Sequence, residues 1–340
     1  MDEVSYTRWL NDEQQMVWRS CLAGSAYILT QLDLALRQFD LDINEYEILV
    51  RLSENDPHAL RMSALARNTY QSRSRLTHTV SRLEKRDLVS RRRAPDDRRG
   101  IIAELTEAGM GLLNAAALSA LLTALAIPLL RRAHVIDIPV DRSLHERPVP
   151  RGGGLAVVLA VALSVWTAPL IVLSLDGLPH MSARFDIVIL GLSTILAFAL
   201  VGLAEDLYSL PATTRLGLQL GLGLLLGLGA CLELRTSMWP APVIAVCSAG
   251  LVNVTNFMDG ANGLAGGHAV VAAAWFVAVS LVVPVPGLGF VMVVVAGACL
   301  GFLPFNAPRA RVFLGDSGSY ALGGAWSFAA TVCLADRVPA

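Results

Sequence analysis

Residues 253–267 read NVTNFMDGANGLAGG, a polar, glycine-rich stretch set between apolar runs, and it governs how the rest of the chain is read. Its amides and carboxylate (Asn253, Asn256, Asp259, Asn262) stand beside glycines, which let a backbone approach a ligand closely. On both sides the chain stays apolar for nearly the ~20 residues that a helix needs to cross a bilayer. Working outward, apolar runs fall at 112–130, 154–175, 186–204, 214–232, 240–255, 264–284, 287–304 and 318–335, which predicts about eight transmembrane helices. Composition points the same way. The chain is 54% hydrophobic and 16% charged, against roughly 25% charged for a soluble domain.

The connections after the first, third, fifth and seventh runs are the polar ones. They read DIPVDRSLHERPVPRGGG (137–154), GLAEDLYSL (202–210), the stretch quoted above, and NAPRARVFLGDSGS (306–319). Counting crossings puts all four on one membrane face. That face carries Arg131, Arg132, Arg142, Arg147, Arg151, Arg215, Arg309 and Arg311, against Arg184, Arg235 and Arg337 on the other. The positive-inside rule then makes the motif face cytoplasmic. Carboxylates and amides at membrane depth are costly, so Glu205, Asp206, Asn256, Asp259 and Asp316 are candidate functional groups. Oxygen ligands of this kind suit Mg²⁺, which takes one or two protein groups and completes its shell with phosphate oxygens; Mn²⁺ is the alternative ion. The five cysteines form no CxxC pair and read as packing residues.

These four segments resemble the polyprenyl-phosphate N-acetylhexosamine-1-phosphate transferases, the superfamily that initiates peptidoglycan and O-antigen synthesis. The forms RSLHERPVPRGGG and NFMDG are closest to the O-antigen branch. The resemblance covers about 112–335. It implies transfer of a sugar phosphate from a UDP-N-acetylhexosamine to undecaprenyl phosphate at the cytoplasmic face of a bacterial plasma membrane. In that scheme Asn256 and Asp316 hold Mg²⁺. Glu205 and Asp206 face the lipid phosphate, and Asp259 faces the nucleotide sugar. Asn253, His145, Arg151 and Asn306 contact substrate. The chain departs from the family pattern in Glu205 of the acidic pair and in Asn262. It is also expected to be C-terminally incomplete, since the family has about ten spans and a His-rich loop near its end.

The first 111 residues are unlike the rest. Apolar residues recur at helical spacing over Met16–Phe39 and again over Ile43–Leu52. A helix over 72–84 puts Leu76, Val80 and Leu83 on one face and leaves Ser72, Arg73, Arg75 and Thr77 for another. The residues after it read as a β-hairpin with an arginine-rich turn. The stretches LEKRDLVSRRRAPDDR (83–98) and LTEAG (105–109) resemble the MarR-type winged-helix regulators. That resemblance implies DNA as a partner, met by Ser72, Arg73 and Arg75 in the major groove and by Arg91 and Arg98 at phosphates. The expected organisation is therefore an N-terminal α+β winged helix-turn-helix domain (1–111), without the dimer helices of those regulators, followed by an all-α polytopic membrane domain (112–340). Two functions compete: a membrane sugar-phosphate transferase, and a membrane-tethered transcription regulator. With cytoplasmic motif loops, the winged helix falls on the opposite face.

Overall fold

The structure is a computed structural model that describes residues 42–55, 57–95, 97–133, 135–137, 148–176, 185–283, 285, 287–307 and 309–335. The helix expected over Met16–Phe39 and the candidate His145 lie outside the described residues.

The N-terminal unit begins with α1 (Ile43–Ser53). The Asp42 carboxylate accepts the N–H groups of Asn44 and Glu45, and Glu45 reaches back to the N–H of Asp42, a reciprocal cap that fixes the helix start. Then come β1 (Ala59–Arg61), α2 (Met62–Asn68), α3 (Arg73–Lys85), β2 (Val89–Ala94) and β3 (Asp97–Leu105). The strands pair antiparallel in the order β1-β3-β2. The apolar stripe expected on α3 is present: Leu76, Val80 and Leu83 are buried in one cluster with Ile48, Leu49, Leu52 and Leu65. This is a winged-helix arrangement, with α3 in the recognition position and β2–β3 as the wing.

Helix α4 (Glu107–Arg132) is capped by Thr106, whose hydroxyl accepts the Gly109 N–H. It runs unbroken through positions 111 and 112, where the sequence suggested a domain boundary. Gly109 presses on the backbone of Leu88, with no room for a Cβ, so the helix is rooted in the winged-helix unit. Farther along, the α4 backbone at Leu112 and Ala116 lies against Gly297 and Gly301 of α10 (Leu288–Asn306). Two glycines four residues apart are what close helix–helix contact in a membrane requires.

The other helices are α5 (Gly154–Asp176), α6 (Phe185–Tyr208), α7 (Ala212–Glu233), α8 (Ala241–Met258), α9 (Leu264–Val282) and α11 (Gly315–Ala335). Among the described residues, six helices are long and apolar enough to cross a membrane: α4, α6, α7, α8, α9 and α10. The remaining two of the eight expected runs coincide with α5, apolar over Gly154–Thr167, and α11. Helix α11 sits inside the bundle, enclosed mainly by α6 and α8, and its first half is rich in Gly and Ser. A helix surrounded on all sides gains from small residues more than from bulky apolar ones. At 26 residues, α4 carries the chain about 39 Å from the winged-helix unit to the opposite end of the bundle.

At that far end the loops are tied together by backbone bonds. Strand β4 (Ile136–Asp137) pairs with β5 (Val149–Pro150). The Phe313 N–H donates to the Pro150 carbonyl at 2.8 Å, and the N–H groups of Gly152 and Gly153 return to the Phe313 carbonyl at 3.2 and 2.8 Å. The first polar connection is thereby fastened along the fourth. Gly152 (φ +108°) and Gly315 (φ +79°) adopt left-handed backbone at this junction, which favours glycine.

Candidate active site

The site is built on the N-terminus of α11, where Asp316 lies in the first turn. The first N–H groups of a helix have no partner within it and carry a partial positive charge. Here two carboxylates from other helices meet them. Asp206, near the end of α6, accepts from the N–H of Asp316 at 3.2 Å and of Ser317 at 2.9 Å. Asp259, just past the end of α8, accepts from Gly315 N–H at 3.2 Å. Gly202 lies one turn before Asp206 and rests on the Asp316 carbonyl with no space for a Cβ, so the two helices approach at the glycine's expense.

Arg151 closes the cluster from the first polar connection. Its Nη2 lies 3.2 Å from Asp206 Oδ1 and 3.0 Å from Asp316 Oδ2. From α8, Asn256 donates to Asp316 Oδ1 at 2.8 Å and to Ser319 Oγ at 2.9 Å. All four polar connections therefore supply a group to one place: Arg151, Asp206, Asn256 with Asp259, and Asp316. Three carboxylates face one guanidinium, which leaves a formal charge of −2 when all are ionised. Burial would lower the Arg151 pKa, but the Asp316 and Asp206 carboxylates outweigh it and raise it. Burial pushes the Asp259 carboxyl up to about 7; the Gly315 N–H opposes this and the Asp316 charge adds to it.

Other candidates from the sequence lie apart from this cluster. Glu205 turns away from Asp206: its Oε1 pairs with Arg215 at 3.1 Å, and its Oε2 accepts the Leu210 N–H at 2.7 Å. Asn306 is buried and joins two loops, accepting from Gly263 N–H at 2.8 Å and donating to the Val312 carbonyl at 3.0 Å. Asn253, three residues before Asn256 on α8, donates to Gln219 Oε1 at 2.6 Å. In the winged-helix unit Ser72 caps α3 by accepting the Arg75 N–H, while Arg73 and Arg75 are exposed. Arg91 is held by Glu84, with Nε 2.9 Å from the carboxylate. Arg98 lies on β3, and its side chain is outside the described residues.

Two residues of this region, Ser319 and Gln219, were not singled out from sequence, and Arg215 entered only through the charge asymmetry of the two faces. For Gln219 the signal was present, because it is a lone amide in the apolar run LGLQLGLGLLL (216–226). A polar side chain inside a membrane span is a functional candidate by default.

Among the described residues no group of three or more His, Cys, Asp or Glu comes together to hold a metal ion. The Asp316 carboxylate and the Asn256 amide, with more carboxylates than cations around them, still fit an oxygen-seeking divalent cation, which needs only one or two protein ligands when phosphates supply the rest.

Comparison with known proteins agrees with both halves of this description. The profile for glycosyl transferase family 4 matches residues 188–334, and that for the transcriptional regulator SarA/Rot matches residues 32–116. The phospho-N-acetylmuramoyl-pentapeptide-transferase of Mycobacterium sp. (strain KMS) is 31% identical, over 62% of this chain and 72% of the relative. The decaprenyl-phosphate N-acetylglucosaminephosphotransferase of Mycolicibacterium smegmatis is 30% identical over 56% of this chain, which spans 52% of that relative's length. The crystal structure of AbsC, a MarR family transcriptional regulator from Streptomyces coelicolor, is 48% identical over 30% of this chain and 70% of that one, with a TM-score of 0.29. This chain belongs to glycosyl transferase family 4 and carries a SarA/Rot-like segment ahead of the family's helices.

Proposed function

We propose that the chain transfers N-acetylhexosamine-1-phosphate from a UDP-sugar to undecaprenyl phosphate at the cytoplasmic face of the plasma membrane, initiating O-antigen or cell-wall glycan synthesis. A lipid phosphate oxygen forms a bond to the sugar-bearing phosphorus, the bond from that phosphorus to UMP breaks, and UMP leaves. The observation that carries this reading is the convergence of Arg151, Asp206, Asn256, Asp259 and Asp316 from four connections on one helix N-terminus. Relatives named as phosphotransferases acting on decaprenyl phosphate support the class of acceptor. A divalent ion, Mg²⁺ in this reading, held by Asp316 and Asn256, would supply charge neutralisation across the pyrophosphate. Arg151 is half-exposed between two carboxylates and is the cation placed to meet phosphate oxygens. Asp259, neutral below about pH 7 and ionised above it, is the group able to hold or move a proton. Asp206 sets the α11 N-terminus against these groups, whereas Glu205 orders the next loop through Arg215.

The test is a membrane-fraction assay with radiolabelled UDP-GlcNAc and other UDP-hexosamines, undecaprenyl phosphate and Mg²⁺. Lipid-linked product that disappears in Asp316→Asn supports the reading. No product from protein shown to be inserted and folded sinks it.

A second reading rests on the winged-helix unit. Its recognition helix is capped and carries exposed Arg73 and Arg75, as DNA binding by a membrane-tethered regulator requires. Labelling a cysteine placed at Arg73 from either side of the membrane separates the two. Cytoplasmic placement favours the regulator, and extracytoplasmic placement favours the enzyme.

A further inference from the structure

We infer that Gln219 is a positioning residue for the sugar-nucleotide: it fixes the Asn253 amide so that only the carbonyl oxygen of Asn253 is left to face a ligand. This rests on the transferase reading. Gln219 is fully buried on α7, inside an apolar helix of membrane-spanning length. A buried amide in such a place is expensive unless its hydrogen bonds are made. Only half of this one is satisfied: Oε1 accepts from Asn253 Nδ2 at 2.6 Å, while Nε2 has no partner among the described residues. The glutamine side chain therefore spends its burial on one contact, across the α7–α8 interface, to a residue on the helix that carries Asn256. One turn later on α7, Gly223 lies on Ala245 and Ser248 of α8 with no room for a Cβ, so the two helices are in close contact beside Gln219.

The consequence lies in the hydrogen-bond inventory of Asn253. A carboxamide has two N–H donors and one carbonyl acceptor. Asn253 Nδ2 gives one bond to Gln219 Oε1 and one at 2.8 Å to the Ala249 carbonyl, which uses both donors. What remains is one acceptor, on an exposed residue three positions before Asn256 and on the same face of α8. Phosphate oxygens are themselves acceptors and gain nothing from it. A sugar hydroxyl or an N-acetyl N–H does. Asn253 thus reads a hydroxyl or N–H of the sugar-nucleotide, not the pyrophosphate or the lipid phosphate, and Gln219 holds it in the acceptor orientation. Without Gln219 the amide is held by the Ala249 carbonyl alone, and one of its two donors is released.

The experiment measures kcat and KM for UDP-GlcNAc and for undecaprenyl phosphate separately, on the full chain in detergent. Gln219→Met keeps the shape and removes the acceptor. It is expected to raise KM for UDP-GlcNAc about tenfold, the loss of one ~1.4 kcal/mol hydrogen bond, with kcat within about twofold and KM for the lipid unchanged. Gln219→Glu keeps an acceptor and should restore most of the loss. Asn253→Ala should reproduce the KM effect, and the double variant should add nothing further. Should Gln219→Met not fold, Asn253→Ala decides alone. A rise in KM for UDP-GlcNAc sustains the inference, and a rise in KM for the lipid overturns it. Unchanged constants in Gln219→Met, with an active wild type, overturn the inference and leave the transferase reading standing. A wild type as silent as Asp316→Asn overturns both.

Discussion

The winged-helix unit and the α11 cluster both hold arginine against carboxylate, and they do so in opposite ways. In the N-terminal unit charge is balanced and the arginines are partly exposed: Arg92 pairs with Glu104, Arg91 with Glu84, and Arg82 with Asp42 and the buried Glu45, which Arg86 also approaches. At α11 one guanidinium serves Asp206 and Asp316 together, with Asp259 beside them. Balanced charge near water holds a fold together at little cost or gain. Unbalanced charge set among apolar helices is costly to keep, which makes such a cluster a functional candidate by default. The comparison predicts that losing a charge at α11 should damage chemistry more than stability, and that in the winged-helix unit only stability should change, and slightly.

The largest effect is expected at Asp316. Asp316→Asn removes one of three clustered like charges and the carboxylate that Arg151 and Asn256 both contact. Transfer should fall by at least about a hundredfold, the scale for removing a transition-state charge partner. The thermal midpoint should hold or rise, because repulsion with Asp206 and Asp259 is relieved. An equal fall in midpoint and activity would make Asp316 a structural cap and erase the contrast between the two regions.

Next comes Gly202→Ala. The new methyl would fall on the Asp316 carbonyl, so α6 and α11 must part or the helix must bend. Overpacking of this kind costs about 1–3 kcal/mol, and the parting separates Asp206 from the N–H groups it caps. Both the thermal midpoint and transfer should drop together. Retention of full activity would show that the cluster tolerates helix separation.

The third is a pH profile. Burial raises the Asp259 carboxyl from 3.8 to about 7, so it is neutral below that value and ionised above it. If the ionised form acts, transfer rises with pH through about 7, and Asp259→Asn flattens that limb. Stability carries the opposite sign. A folded-state pKa raised above the unfolded value contributes stability fully present below pH 3.8 and lost as pH rises through about 7. Activity and stability should therefore run against each other across this window. A profile with no inflection near 7 would remove Asp259 from proton transfer.

What could be read in advance follows the same division. The apolar stripe of α3 and the hairpin after it were legible because helix and strand periods write themselves into Leu76, Val80, Leu83 and the strands around the turn at Ala94. The four connections were legible as one site because crossing parity alone brings them to one face. Which residues touch was not legible. Glu205 and Asp206 are neighbours in sequence with the same charge, yet the end of α6 aims one at Arg215 and the other at the α11 N-terminus. Asn306 looked like a ligand contact, but both its amide atoms are used to join loops. These assignments depend on helix rotation and on backbone N–H groups, neither of which leaves a mark in residue identity. Gln219 was passed over for the opposite reason: its signal was a single polar letter in an apolar run.

The smallest effect is expected in the wing, where the comparison is most exposed to failure. Arg92 Nε lies 2.7 Å from Glu104 Oε2, a good distance, but the arginine is half-exposed at 50% and Glu104 at 20%. The two residues sit near one another across the β2–β3 ladder, where Arg92 opposes Ile102 and Ser90 opposes Glu104, so the pair is diagonal. Exposed pairs are screened by water and salt and typically contribute about 0.2–1 kcal/mol, with diagonal neighbours on a sheet at the lower end. Arg92→Gln should accordingly shift the unfolding free energy by no more than a few tenths of a kcal/mol, shrinking further as ionic strength rises, with transfer unchanged. The measurement is chemical unfolding of the full chain in detergent at two salt concentrations, followed by a signal from the N-terminal unit. A loss above about 2 kcal/mol, insensitive to salt, would mean that the wing holds a desolvated pair of the costly kind. The charge in the N-terminal unit would then have to be read as that at α11 is read, as groups kept for a partner.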